Sequence, residues 1–180
     1  MQKKQLTYVT LVSKQIFMPV RVFTNTSNEA VKADNGPQPD RTAEGIRWAA
    51  DKGAKIIVVP QALKEDSPAL KKATEHTTDS GALVIVNAGD RQQSEKQNEE
   101  ESQERYPAAY DGVVGVTALT SEGAASGAAL RNEGIGLAVP AQAAPTTFLG
   151  NGDCVIAKDS PSSALATKAT TRRACCFIGV

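Results

Sequence analysis

The sequence predicts an α/β fold with three layers, in which a parallel sheet is flanked by helices. Two consecutive units, at 40–60 and 67–89, each show a helical pattern, then a glycine, then a short apolar run of strand length. Successive helix–strand units form right-handed crossovers, which place their strands in parallel. Only 4% of the 180 residues are aromatic. The core is therefore expected to consist of Val, Ile, Leu and Ala, as is common in buried parallel sheets.

The first unit follows a predicted strand at Ile16–Phe23 and a loop rich in Asn, Asp, Gly and Pro. Asp40 or Thr42 is expected to cap the first helix. Gly53 is expected to end it, and the run KIIVVP then forms a strand. The apolar spacing places these residues on the core face of the helix: Ala43, Ile46, Trp48, Ala49 and Ala50.

The second unit begins with Ser67 and Pro68, a capping residue followed by a proline suited to the first helical turn. Leu70, Ala73 and Thr77 share one face, and Gly81 marks the end of the helix. The run ALVIVNAG then predicts another buried strand.

The remaining chain contains two further predicted strands, at 112–119 and 135–140, separated by a Gly- and Ala-rich loop at 121–134. The segment 91–105 is almost entirely polar, which favours a solvated surface loop. The final residues, TTRRACCFIGV, are interpreted as the start of a helix that stops before it is complete.

The composition argues against several functional classes. The formal net charge is zero, with 20 basic and 20 acidic residues, so a nucleic-acid surface or a polybasic membrane patch is not expected. No apolar run approaches the roughly 20 residues that span a bilayer. The N-terminus is not interpreted as a signal peptide. Cys154, Cys175 and Cys176 form neither a disulfide framework nor a metal-ligand spacing, and no cofactor or metal is expected.

Five segments, taken in order, resemble the subtilase family of serine peptidases and come closest to its mycosin branch. The most specific is YPAAYDGVVGVTAL, which is similar to the family's YPAAYPGVIAVGA. The resemblance implies a subtilisin-like peptidase domain that lacks its N-terminal part, with residues 16–180 as the partial domain and 1–15 as an extension or partial strand. It also implies a secreted or cell-surface protein. The five segments are Pro19–Phe23, Ala43–Leu63, Ser67–Asp90, Tyr106–Leu119 and Leu137–Ala141.

The resemblance implies a catalytic triad of Asp, His and Ser, in that order along the chain. The Asp and His segments should precede the strand at Ile16, where fifteen residues leave too little room for both. No His-Gly-Thr motif occurs, and the one histidine, His76, is predicted on a helix surface away from the position of the base. The chain is therefore expected to lack its general base.

The nucleophile segment of the family matches PSSALATKA, and the favoured register puts Ala164 at the position of the serine. A methyl group cannot attack a carbonyl. In a shifted register Ser163 or Ser162 takes that position, with Ser160 a more distant alternative. The family's oxyanion-hole Asn corresponds to Asp90, whose negative charge would oppose the developing oxyanion.

The family's substrate-binding edge, Ser-Leu-Gly, corresponds to Pro60, Gln61 and Ala62. Pro60 has no N–H to donate to a peptide ligand, and Ala62 adds a Cβ where close approach favours Gly. Peptide binding is expected to survive only in a weakened form.

Three functional hypotheses follow. The first is a non-catalytic subtilase fragment or pseudopeptidase. The second is an active serine endopeptidase completed by another chain that supplies Asp and His. The third is a peptide-binding or scaffold module associated with a secretion system. The missing strands also predict an exposed sheet edge, through which the chain would associate with itself or with a protein partner.

Overall fold

Both predicted helix–strand units are present in the computed structural model. The structure describes residues 17–23, 36–90 and 104–141, and also the backbone of short strands at 145–147, 154–156 and 175–178. After strand β1 (Phe17–Val20) come helix α1 (Pro39–Asp51), strand β2 (Ile56–Val59), helix α2 (Pro68–Asp79) and strand β3 (Leu83–Asn87). Strands β4 (Val113–Leu119) and β5 (Leu137–Pro140) follow.

Glycines end both helices, as the sequence predicts. Gly53 and Gly81 follow α1 and α2 with φ of 81° and 79°, a left-handed conformation that costs glycine little because it has no Cβ. Ser67 caps α2, since its side chain accepts a hydrogen bond from the Leu70 N–H. The α1 cap differs from the prediction: the N-cap is Gln38, which makes no side-chain capping bond, so neither Asp40 nor Thr42 caps α1.

The main sheet has six parallel strands in the order β1-β8-β2-β3-β4-β5, where β8 is Cys175–Ile178. The predicted parallel sheet flanked by helices is therefore confirmed. A separate antiparallel pair joins β6 (Pro145–Thr147) and β7 (Cys154–Ile156). The prediction of a helix start in the last residues is wrong, because β8 pairs with both β1 and β2.

The apolar side chains alternate between the two faces of the sheet. In β2, Ile57 and Val59 pack with α1 and α2 in one cluster, whereas Ile56 and Val58 belong to a second cluster on the opposite face. This alternation is the period of two expected for a strand. Both clusters consist almost entirely of aliphatic residues, as the low aromatic content predicts.

Trp48 does not lie on the core face of α1, in contrast to the prediction. Its side chain is 46% exposed, and the Lys52 ammonium lies 5.9 Å from the centroid of its ring. Ile46 and Ala49 are fully buried. Each residue turns about 100° around a helix axis, so Trp48 points away from Ile46, two positions earlier.

Candidate functional site

The carboxyl ends of β2 and β3 meet at one edge of the sheet and are joined by Asn87, the last residue of β3. Asn87 is 2% exposed. Its Nδ2 donates to the Pro60 carbonyl at 3.1 Å and to Asp90 Oδ2 at 2.8 Å. Its Oδ1 accepts from the Gly89 N–H at 2.7 Å. One buried amide therefore holds together the predicted substrate edge and the predicted oxyanion position.

Sequence reasoning missed Asn87. It appeared only as part of a strand, yet a polar residue ending an otherwise apolar run is a signal that could have found it. A buried amide must find partners for its donors and acceptor, and the ends of neighbouring parallel strands are where those partners lie.

Asp90 lies just beyond β3, partly buried, and forms an isolated antiparallel bridge with Ala129. Gly89 before it has φ of 135°, and a Cβ there would come within 2.8 Å of Leu130 Cδ1. The Leu130 N–H donates to the Gly89 carbonyl at 3.0 Å, and Asn132 Nδ2 donates to the Ala88 carbonyl at 2.7 Å. The loop at 129–132 thus holds residues 88–90 in place through these main-chain and side-chain hydrogen bonds.

The predicted substrate edge lies between β2 and an isolated antiparallel bridge that joins Leu63 to Tyr106. The Leu63 and Tyr106 main chains exchange two hydrogen bonds of 2.9 Å each. No main-chain hydrogen bond links Gln61 or Ala62 to another residue in the described ranges. Pro60, Gln61 and Ala62 are all partly buried. Within this edge, the Pro60 carbonyl is the group that contacts Asn87.

His76 lies far from this edge. Its Nε2 is 3.1 Å from Asp51 Oδ1, and both side chains are well exposed on the helical layer. Helix α2 ends just before β3 begins, so His76 is near the amino end of β3, whereas Asp90 follows its carboxyl end. At about 3.3 Å per residue, the five residues of β3 separate the two ends by roughly 13–17 Å.

The letters Asp-Ser-Gly, which the family's acid motif contains, occur at 79–81. In the structure these residues form the end of α2: Ser80 is the C-cap and Gly81 has a left-handed φ. They share the sheet edge of His76 rather than that of Asp90. The triplet is thus a helix terminus, and the structure does not place it at the candidate site.

The predicted nucleophile segment lies outside the described residues. Ala164, Ser163, Ser162 and Ser160 are all in that part of the chain, as are most of the polar loop at 91–105 and residues 1–16. Within the described ranges, no group of three or more His, Cys, Asp and Glu side chains could hold a metal ion. No helix in the same ranges is long and apolar enough to cross a membrane.

A model of the subtilase family matches residues 22–177, which is most of the chain. The chain belongs to the subtilase family. Among curated proteins, it is 31% identical over 127 residues to fervidolysin of Fervidobacterium pennivorans, covering 68% of this chain and 17% of that protein. It is 33% identical over 103 residues to subtilisin DY of Bacillus licheniformis, covering 56% and 36%. This subtilase chain thus spans well under half the length of those relatives.

Solved structures of subtilisin-like proteases share the fold. The prenylagaramide maturation protease PagA matches with a TM-score of 0.63 and 19% identity, covering 81% of this chain and 49% of that one. MycP1, with its N-terminal propeptide removed, matches with a TM-score of 0.59 and 21% identity, covering 74% and 51%. The second is a mycosin, and this chain shares its fold. That the sequence comes closest to the mycosin branch stays a prediction.

Proposed function

We propose that this subtilase chain does not itself hydrolyse peptide bonds. The observation that carries the proposal is the carboxylate of Asp90, held by the 2.8 Å bond from Asn87 Nδ2, at the position that the sequence resemblance assigns to the family's oxyanion-hole Asn. A carboxylate donates no hydrogen bond to an oxyanion and adds a like charge beside it. Loss of one such donor alone costs about 3–4 kcal/mol of transition-state stabilisation.

Two further features support the proposal. His76 is occupied with Asp51 on the far side of β3, where it cannot accept a proton from a nucleophile near Asp90. In the favoured register Ala164 supplies no nucleophile. Because Asp90 and Ala164 belong to this chain, both arguments hold even if a longer protein or a second chain supplies the triad's Asp and His.

The test combines labelling with a fluorophosphonate probe and cleavage of a fluorogenic peptide by the full chain. Wild type and the variants Ala164→Ser, Asp90→Asn and their double variant are expected to show neither labelling nor turnover, with an active serine peptidase as the positive control. Labelling of the wild type that disappears in Ser163→Ala would overturn the proposal. Turnover by the double variant would show that the chain contains a working base.

A second function, binding of extended peptides, is favoured by the main chain of Gln61 and Ala62, which is paired with no other main chain among the described residues. An extended peptide can pair with such an edge by strand addition, through main-chain hydrogen bonds. Pro60 has no N–H, so the first donor available to a ligand is the Gln61 N–H. Fluorescence anisotropy with labelled extended peptides tests this function, and peptides with N-methylated backbones are the control because they cannot pair.

Self-association remains a prediction, as does binding of a protein partner. Strand β1 is one edge of the main sheet, and β8 separates it from β2. An uncovered edge strand presents unpaired main-chain groups to other chains. Light scattering is expected to show a mass that rises with concentration; a constant monomer mass would contradict this.

A further inference from the structure

Gln61 has an unusual environment for a polar side chain. The residue is partly buried, but its Oε1 and Nε2 are both shielded from solvent and have no hydrogen-bond partner in the described structure. A buried polar group without a partner is destabilising, because it has given up its hydrogen bonds to water. Native proteins keep few such groups, and each calls for an explanation.

The position of Gln61 supplies that explanation. Gln61 lies between Pro60, whose carbonyl accepts from Asn87 Nδ2, and the Leu63–Tyr106 bridge. It is the first residue of the edge whose main chain has no main-chain partner in the described part of the chain. When a strand pairs with such an edge, directly opposite side chains have Cβ atoms about 4.5–5.5 Å apart. Contact with a ligand side chain requires that rotation about the side-chain torsions of Gln61 bring its carboxamide towards the ligand residue opposite it.

The chemistry of the carboxamide selects that ligand residue. Gln61 offers a donor and an acceptor, and both need partners. A carboxylate has no proton for Oε1. A lysine has no acceptor for Nε2, and an aliphatic side chain has neither group. A hydroxyl donates and accepts through a single oxygen, whereas a ligand carboxamide has a separate donor and acceptor that match Oε1 and Nε2 at once.

We propose that Gln61 is a specificity-determining residue that selects extended peptides with Asn or Gln at the position opposite it. The proposal rests on the peptide-binding function above. It requires no catalysis and no cofactor, only an open edge and a side chain whose hydrogen bonds are completed by the ligand.

The experiment uses the full chain and a positional series of fluorescein-labelled hexapeptides of alternating Thr and Val. One position at a time carries Gln, Glu, Lys or Met. Kd is measured by anisotropy for wild type, Gln61→Met and Glu65→Met. Met has nearly the size of Gln without its polar atoms. Glu65 is exposed and lies outside the edge, so Glu65→Met is the matched control.

At one position of the series, wild type and Glu65→Met are expected to bind the peptide with Gln about tenfold more tightly than the peptides with Met, Glu or Lys there. For Gln61→Met, the ratio of these Kd values should fall below about twofold. The midpoint of denaturation of Gln61→Met should equal or exceed that of wild type, because the substitution removes an unsatisfied polar group. Binding without a preference for Gln, or a preference unchanged in Gln61→Met, would overturn the inference but leave peptide binding intact. Failure of every peptide to bind would overturn both.

Discussion

Gly115 in strand β4 is expected to tolerate no side chain, and Gly115→Ala tests this directly. A Cβ built at Gly115 would lie 1.8 Å from the carbonyl oxygen of Gly134, far inside any van der Waals contact. The opposing atom belongs to the backbone, so no side-chain rotation can relieve the clash. The Gly115 carbonyl also accepts a hydrogen bond of 2.9 Å from the Gly136 N–H. A shift of the backbone that relieved the clash would disturb that bond.

The expected cost follows from these contacts. Overpacking of a core by extra methylene groups usually costs about 1–3 kcal/mol, and a clash between two backbone segments places Gly115→Ala at or above the upper end. Gly134→Ala should cost less, because its Cβ would meet the Ala108 backbone at 3.0 Å. Gly127→Ala is the matched control: nothing lies within 4 Å of its Cβ, so it should change stability by less than about 1 kcal/mol.

Urea denaturation followed by circular dichroism measures all three variants against wild type. The expected order of destabilisation is Gly115→Ala, then Gly134→Ala, then Gly127→Ala, with similar m-values if the unfolding remains two-state. A Gly115→Ala protein as stable as Gly127→Ala would refute the reasoning. It would mean that the Gly134 carbonyl does not lie in close contact with Gly115 of β4.

Three further predictions concern buried polar groups. Asn87→Ala removes three hydrogen bonds at one buried position and should destabilise the protein by about 2–4 kcal/mol; a loss below 1 kcal/mol in urea denaturation would mean that the amide does not hold the strand ends. Ser67→Ala removes the α2 cap and should cost about 1 kcal/mol, recovered in Ser67→Asn; equal losses in both variants would contradict the capping role. Burial, followed by the bond to Asp66, raises the pKa of Tyr110, so its stabilising contribution is complete below the unfolded pKa of about 10 and is lost as pH rises above it. The free energy of unfolding should therefore decrease more between pH 8 and pH 11 in wild type than in Tyr110→Phe. Equal decreases in the two proteins would exclude this tyrosine as the cause.

The sequence alone determined the local features of the fold. Glycines 53 and 81, the Ser67–Pro68 helix start and the aliphatic strand runs predicted two helices and a parallel sheet, and the structure confirms them. These features depend on residues close together in the chain, so a linear pattern is enough to reveal them. The sequence alone also shows that an Asp occupies position 90, since the identity of a residue does not depend on the fold.

Only the tertiary structure decided which distant groups meet. In the folded chain Trp48 lies at the surface, and residues 175–178 form a strand between β1 and β2. Asn87 donates hydrogen bonds to both Pro60 and Asp90. The tertiary structure also placed His76 and the Asp-Ser-Gly triplet at the opposite end of β3 from Asp90. Such outcomes depend on how helices and strands pack in space, because a hydrogen bond or a clash is decided by a few ångströms that sequence spacing does not encode.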